Sequence, residues 1–92
     1  MHINYNFNGS STMVDDDIEV KNAEMLVREI RSELKDQTYV GDKSVAQIHF
    51  ESCYDTFEVI YVDDAFRYRF VGKYMPYMEF RRILTKYLAV EE

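Results

Sequence analysis

The chain has 92 residues and a formal net charge of −6, so it holds one small core; domains most often contain about 100–150 residues, and cores divide only in much longer chains. With 47% hydrophobic residues, eight Tyr and six Phe, it carries enough apolar material to fold alone, which excludes a disordered acidic tail. The single Cys53 excludes a disulfide framework and a cysteine-rich zinc knuckle. No apolar run reaches the roughly 18–20 residues of a membrane span, and the Met-His-Ile-Asn-Tyr start lacks the order of a secretory signal. A cytoplasmic protein is expected.

From the N-terminus, Ile3, Tyr5 and Phe7 alternate with Asn until Gly9-Ser10-Ser11-Thr12 breaks the pattern. Residues 1–15 are therefore expected to be a short strand or a partly ordered segment. Ile18, Ala23, Leu26, Val27, Ile30 and Leu34 then share one stripe, which predicts a helix over about 17–36, preceded by acids and closed by Lys35 in the sense the helix dipole favours.

Three strands follow, at Ser44–Glu51, Thr56–Val62 and Phe66–Val71, each alternating apolar and polar residues. A two-residue turn at Asp64-Ala65 would set Tyr61 opposite Tyr68 and Val59 opposite Phe70. The turn about Ser52–Asp55 would set Phe50 opposite Phe57 and Ile48 opposite Val59. A last helix opens at Pro76, with Tyr77, Phe80, Ile83, Leu84, Tyr87 and Leu88 at spacings of three and four.

The fold predicted is a single α+β domain over 1–92, ordered (β)-α-β-β-β-α, with an antiparallel three- or four-stranded sheet and two helices packed on one face. The other face would carry Gln47, His49, Glu51, Glu58, Ile60, Val62, Arg67, Arg69 and Val71, a mixture suited to contact.

No catalytic set emerges. Asp15, Asp16, Asp17 and Glu19 start like a calcium loop, but Val20 and Leu26 stand where that loop needs its Gly and its bidentate Glu. His49 and Cys53 could be imagined as base and thiolate, yet no third group or oxyanion site accompanies them. His2 reads as a terminal, solvated side chain, and two His with 46 residues between them offer no zinc spacing. Gly9, Gly41 and Gly72 stand alone, so no phosphate cradle is present. Neither an enzyme nor a bound cofactor or metal is expected.

Charge is the informative feature. Residues 1–65 carry 14 acidic and 5 basic groups, whereas residues 66–92 carry 3 acidic and 6 basic. The basic third, with Arg67, Arg69, Lys73, Arg81, Arg82 and Lys86 among tyrosines, suggests nucleic-acid binding, which the overall negative charge disfavours. Its α-β-β-β-α order is similar to that of the double-stranded RNA-binding domain, but the Lys-rich helix start that family relies on is absent. The acids instead suggest a surface that imitates a polynucleotide and occupies a basic groove, with Asp15, Asp16, Asp17, Glu19, Asp55, Glu58, Asp63 and Asp64 as candidate partner-binding residues.

Leu26-Val27-Arg28-Glu29-Ile30-Arg31, then Tyr39-Val40 and a three-strand meander with acidic turns, resembles the small phage anti-CRISPR proteins that inhibit Cas9; the likeness covers about residues 23–72. The resemblance implies a non-catalytic inhibitor of a host nucleic-acid-binding protein such as a Cas nuclease, acting in the host cytoplasm, with Asp55, Asp63 and Asp64 as interface candidates. Two other readings stand beside it: a protein-interaction or homodimerisation module using Ile60, Val62 and Val71, and a nucleic-acid binder using the basic third.

Overall fold

The structure is a computed structural model that describes residues 2–7, 10–15, 22–36, 43–50 and 54–90, for residues 10–15 and 90 through the backbone alone. Its elements run β1 (His2–Phe7), β2 (Ser10–Asp15), α1 (Ala23–Asp36), β3 (Ser44–His49), β4 (Thr56–Val62), β5 (Ala65–Phe70), β6 (Lys73–Met75) and α2 (Tyr77–Val90). The strands form one antiparallel sheet in the order β2-β1-β3-β4-β5-β6. Both helices lie on one face, as predicted, but six strands replace the expected three or four.

Two of the extra strands are β2 and β6. Phe7 pairs with Ser10, so β1 and β2 are separated only by Asn8-Gly9, the dipeptide that most favours a two-residue hairpin. The segment read as a break is the start of β2. Val71 and Gly72 both have positive φ, 52° and 74°, and reverse the chain into the three-residue β6.

Helix α1 begins at Ala23 rather than 17. Asn22 caps it: its Oδ1 accepts from the Met25 N–H at 2.8 Å, and its carbonyl accepts from Leu26 at 3.2 Å. An Asn placed to satisfy a free N–H fixes a helix start more sharply than a preceding run of acids. Ile18, expected on the buried stripe, lies outside the described residues. Helix α2 starts at Tyr77, with Pro76 as the residue before it whose carbonyl accepts from Phe80 at 3.0 Å.

The strand registers differ from the expected ones by two residues at both turns. Val59 pairs with Tyr68 and Phe57 with Phe70, because the reversal occurs at Asp63-Asp64 and not at Asp64-Ala65. Both aspartates have positive φ, 52° and 59°, a conformation that Asp tolerates and Ala resists. Across the other connection Ile48 pairs with Phe57 and Ala46 with Val59, since His49 and Thr56 close the ladder. A shift of two keeps every side chain on its expected face.

The inner face is a continuous core. Ile3 and Tyr5 of β1, Ala46 and Ile48 of β3, and Phe57 and Val59 of β4 pack with Leu26, Val27, Ile30 and Leu34 of α1 and Phe80 and Leu84 of α2. Phe57 is its aromatic hub, stacked on Phe70 at 4.2 Å and edge-on to Phe50, Phe80 and Tyr87 at 5.7, 5.5 and 5.2 Å. Arg31 and Arg81 lie over the Tyr77 ring at 4.9 and 5.7 Å, and Arg81 reaches Glu24 at 3.7 Å, which ties α1 to α2. Among the described residues no helix is long and apolar enough to cross a membrane.

Candidate functional site

With both helices on one side, no described element covers the other face of the sheet. Strand alternation places there His2, Asn4 and Asn6 of β1, Val45, Gln47 and His49 of β3, Thr56, Glu58, Ile60 and Val62 of β4, Arg67 and Arg69 of β5, and Tyr74 of β6. Glu51, expected on this face, lies outside the described residues. Ile60 is only 1% exposed: a central-strand residue flanked by Val45 and Arg67 is shielded by its neighbours, so it is not the contact residue that its polarity suggested.

The middle of this face is a cross-strand row, Asn4-Gln47-Glu58-Arg69-Tyr74. Arg69 donates to both Glu58 oxygens, Nε to Oε1 at 2.7 Å and Nη2 to Oε2 at 2.8 Å. Gln47 adds a hydrogen bond to the same carboxylate, and the Arg69 guanidinium lies 5.5 Å from the Tyr74 ring centre. The Arg69 hydrogen bond holds the Glu58 carboxyl below its ordinary pKa, against the opposing effect of burial. Asn4 Oδ1, at the other end of the row, is buried and finds no hydrogen-bond partner among the described residues.

At one end of the face His2 and His49 are directly opposed on neighbouring strands, rings stacked 4.9 Å apart and 18° from parallel. Burial lowers the His49 pKa, the neighbouring His2 lowers it further, and Glu58 partly opposes both. His2 is thus half-buried in a sheet rather than terminal and solvated. His49 faces His2, while Cys53, its imagined partner, lies outside the described residues.

The candidate acids do not form one patch. Asp16, Asp17 and Glu19 lie outside the described residues. The ladder Asp15-His2-His49-Thr56 puts the Asp15 backbone and Asp55 at one end of the sheet. Asp63 and Asp64 sit beyond Val62 at the other end, about 20 Å away along β4. Asp55 accepts from the Tyr87 hydroxyl at 3.4 Å, and Glu58 is 9% exposed and bound by Arg69. Among the candidate acids whose side chains are described, only Asp63 and Asp64 are exposed, with Tyr61 donating to Asp64 at 3.3 Å.

The basic third divides likewise. Arg69 is consumed by Glu58, Arg81 reaches Glu24, and Arg67 remains exposed on the open face. Among the described residues no three His, Cys, Asp or Glu side chains gather as a metal site. Large apolar side chains exposed to solvent are Tyr54, Val71, Tyr74 and Met78. Comparison with known proteins gives no match, whether to a family model, a curated protein or a solved structure.

Proposed function

We propose that the chain is a non-catalytic protein-binding module that docks its partner on the open face of the sheet. The observation that supports this reading is the uncovered row from Gln47 through Glu58 and Arg69 to Tyr74, whose polar groups are held by one another instead of by a covering element. Arg67, Arg69 and Tyr74 are of the types that dominate interface energetics, and fixing Arg69 against Glu58 lowers the entropy lost on docking. The Arg67 charge on this face, with Glu58 already neutralised, suits a partner that presents carboxylates.

A second reading keeps the expected inhibitor of a nucleic-acid-handling host protein such as a Cas nuclease. It is favoured by the Asp63-Asp64 tip, which offers two adjacent carboxylates on a rigid hairpin to a cationic groove. Affinity capture from the native host separates the two. A partner retained by wild type and by Asp63→Lys/Asp64→Lys, but lost by Arg67→Glu/Tyr74→Ala, supports the open face. The reverse pattern supports the acidic tip, and a partner indifferent to both pairs of changes overturns both readings.

A further inference from the structure

We infer that the notch where β6 ends beside β5 is a cleft for the carboxyl-terminal residue of an extended peptide, with Arg31 meeting its carboxylate and Phe66 its main chain. The cleft offers about 500 Å³, within the range of small-ligand sites. Phe66, Tyr68, Met75 and Tyr77 line it on the helix side, and Arg67 and Tyr74 line it toward the open face.

The half-buried Arg31 guanidinium lies 4.9 Å from the centre of the Tyr77 ring and 6.0 Å from that of Phe66, and it meets no carboxylate among the described residues. A cation partly withdrawn from water favours an anion that it can pair with. Tyr68 is only 8% exposed, and its hydroxyl has no hydrogen-bond partner among the described residues. Burial raises its pKa and the Arg31 charge opposes the rise, so the two groups share one electrostatic environment. The strand edge supplies the rest. Hydrogen-bonded pairs recur at every second residue from a two-residue turn, here from Val62 and Ala65 on one side of β5 and from Phe70 and Lys73 on the other. The main chains of Tyr68 and Phe70 therefore bond to β6, and those of Arg67 and Arg69 to β4. Phe66 is next in the β6 series, but β6 stops at Met75, which leaves the Phe66 N–H and C=O toward the cleft with no partner among the described residues. A peptide laid in line with β6 closes that pair and puts its last side chain among the rings. Helix α2 begins at the same cleft with Tyr77, so its dipole also favours the terminal carboxylate. The cleft shares Arg67 and Tyr74 with the proposed docking face, but Arg31 and Tyr68 lie on the helix side of the sheet, so either reading can fail without the other.

The test is titration of the ¹⁵N-labelled full chain with N-acetyl-phenylalanine, which carries one amide, one ring and one carboxylate, beside N-acetyl-phenylalaninamide, which lacks the charge. Saturable shifts of the Phe66 amide and the Arg31 Nε–H are expected for the acid, with a Kd of about 1 mM, the scale for so small a ligand. The amide should bind about tenfold more weakly, as should the acid to Arg31→Gln and to Tyr68→Phe, each checked for native circular dichroism. Tyr68→Phe keeps the ring and so tests the cleft even where Arg31→Gln fails to fold. Equal binding of acid and amide, or unchanged affinity in the variants, would overturn the carboxylate site, as would the absence of saturable shifts or their confinement to residues outside the cleft. 3-Phenylpropanoate, which keeps the ring and the carboxylate without the amide, should bind more weakly than the acid; equal binding would mean that the Phe66 main chain contributes nothing and would overturn the peptide as occupant.

Discussion

In β4 and β5 the inner face packs beneath α1 and α2, with stacked and edge-on rings around Phe57, and the outer face carries a bidentate ion pair. The N-terminal hairpin differs: the helices lean mainly on other strands, α1 on β3 and β4 and α2 on β5, while β1 is joined through the β1–β3 ladder and contributes Ile3 and Tyr5 to the core. On that side the outer face carries two stacked imidazoles and an Asn oxygen without a partner. From this contrast we expect the N-terminal strands to open locally more readily than the strands around Phe57. Regions of low local stability are where binding-coupled change is drawn from.

The largest effect expected from breaking this contrast is at the hub. Phe57→Ala should cost about 3–5 kcal/mol, the usual range for an aromatic lost from a closed core, and should lower the stability of the whole domain. Ile3→Ala, equally buried, should cost less, toward the low end of the 2–5 kcal/mol range, because the hairpin can relax around it. Urea unfolding measures both costs. Hydrogen exchange supplies the sharper reading: β1 and β2 amides should exchange through local opening, β4 amides only with global unfolding. Equal protection in the two strand sets would erase the distinction.

A smaller effect is expected at the ion pair. Glu58→Gln should cost about 1 kcal/mol, a modest figure because Arg69 is a third exposed and water screens the pair. Its pH dependence has a definite sign. Glu58 has a folded pKa below its ordinary 4.5, so its contribution is present above that value and is lost as pH falls through the folded pKa. Denaturation at pH 6 should therefore separate wild type from Glu58→Gln, and the gap should narrow as pH is lowered from 4.5 through the folded pKa. A gap that persists in acid would mean that packing of the side chain, not its charge, stabilises the strand pair.

Faces were legible in the sequence wherever a strand alternates, and registers were not. Phe57, Val59 and Tyr61 point inward whether β4 meets β5 at one offset or at another two residues away, so the hydrophobic pattern cannot choose between them. The choice is made by which two residues accept positive φ, and Asp63-Asp64 does so better than Asp64-Ala65. Strand β2 was obscured because Ser10-Ser11-Thr12 offers no hydrophobic contrast, although Asn8-Gly9 is a hairpin signal. The acidic site, read as one surface, is split because the two ends of a strand are remote in space while close in sequence. The His pair was invisible for the converse reason: 46 positions separate residues that only the placement of β1 beside β3 brings together.

The smallest expected effects compare the two turns of the well-supported half. Val71 sits at φ 52° with its side chain 61% exposed, ahead of Gly72 at φ 74°. Left-handed backbone costs an ordinary L-residue about 1–2 kcal/mol, and a β-branched one is the least suited to it. Val71→Asn should therefore stabilise by about 1 kcal/mol and raise the melting temperature by about 4–8 °C, its N–H still facing Thr56. Asp64→Gly, at φ 59° in the other turn, should gain much less, since Asp already tolerates that backbone and the change removes the Tyr61 hydrogen bond. A large gain at Val71 beside a negligible one at Asp64 would mean that an exposed valine is kept in a strained position for something other than folding, and its apolar side chain would then be the first place to seek a partner contact. Similar small gains at both would remove that argument and leave Val71 as ordinary turn sequence.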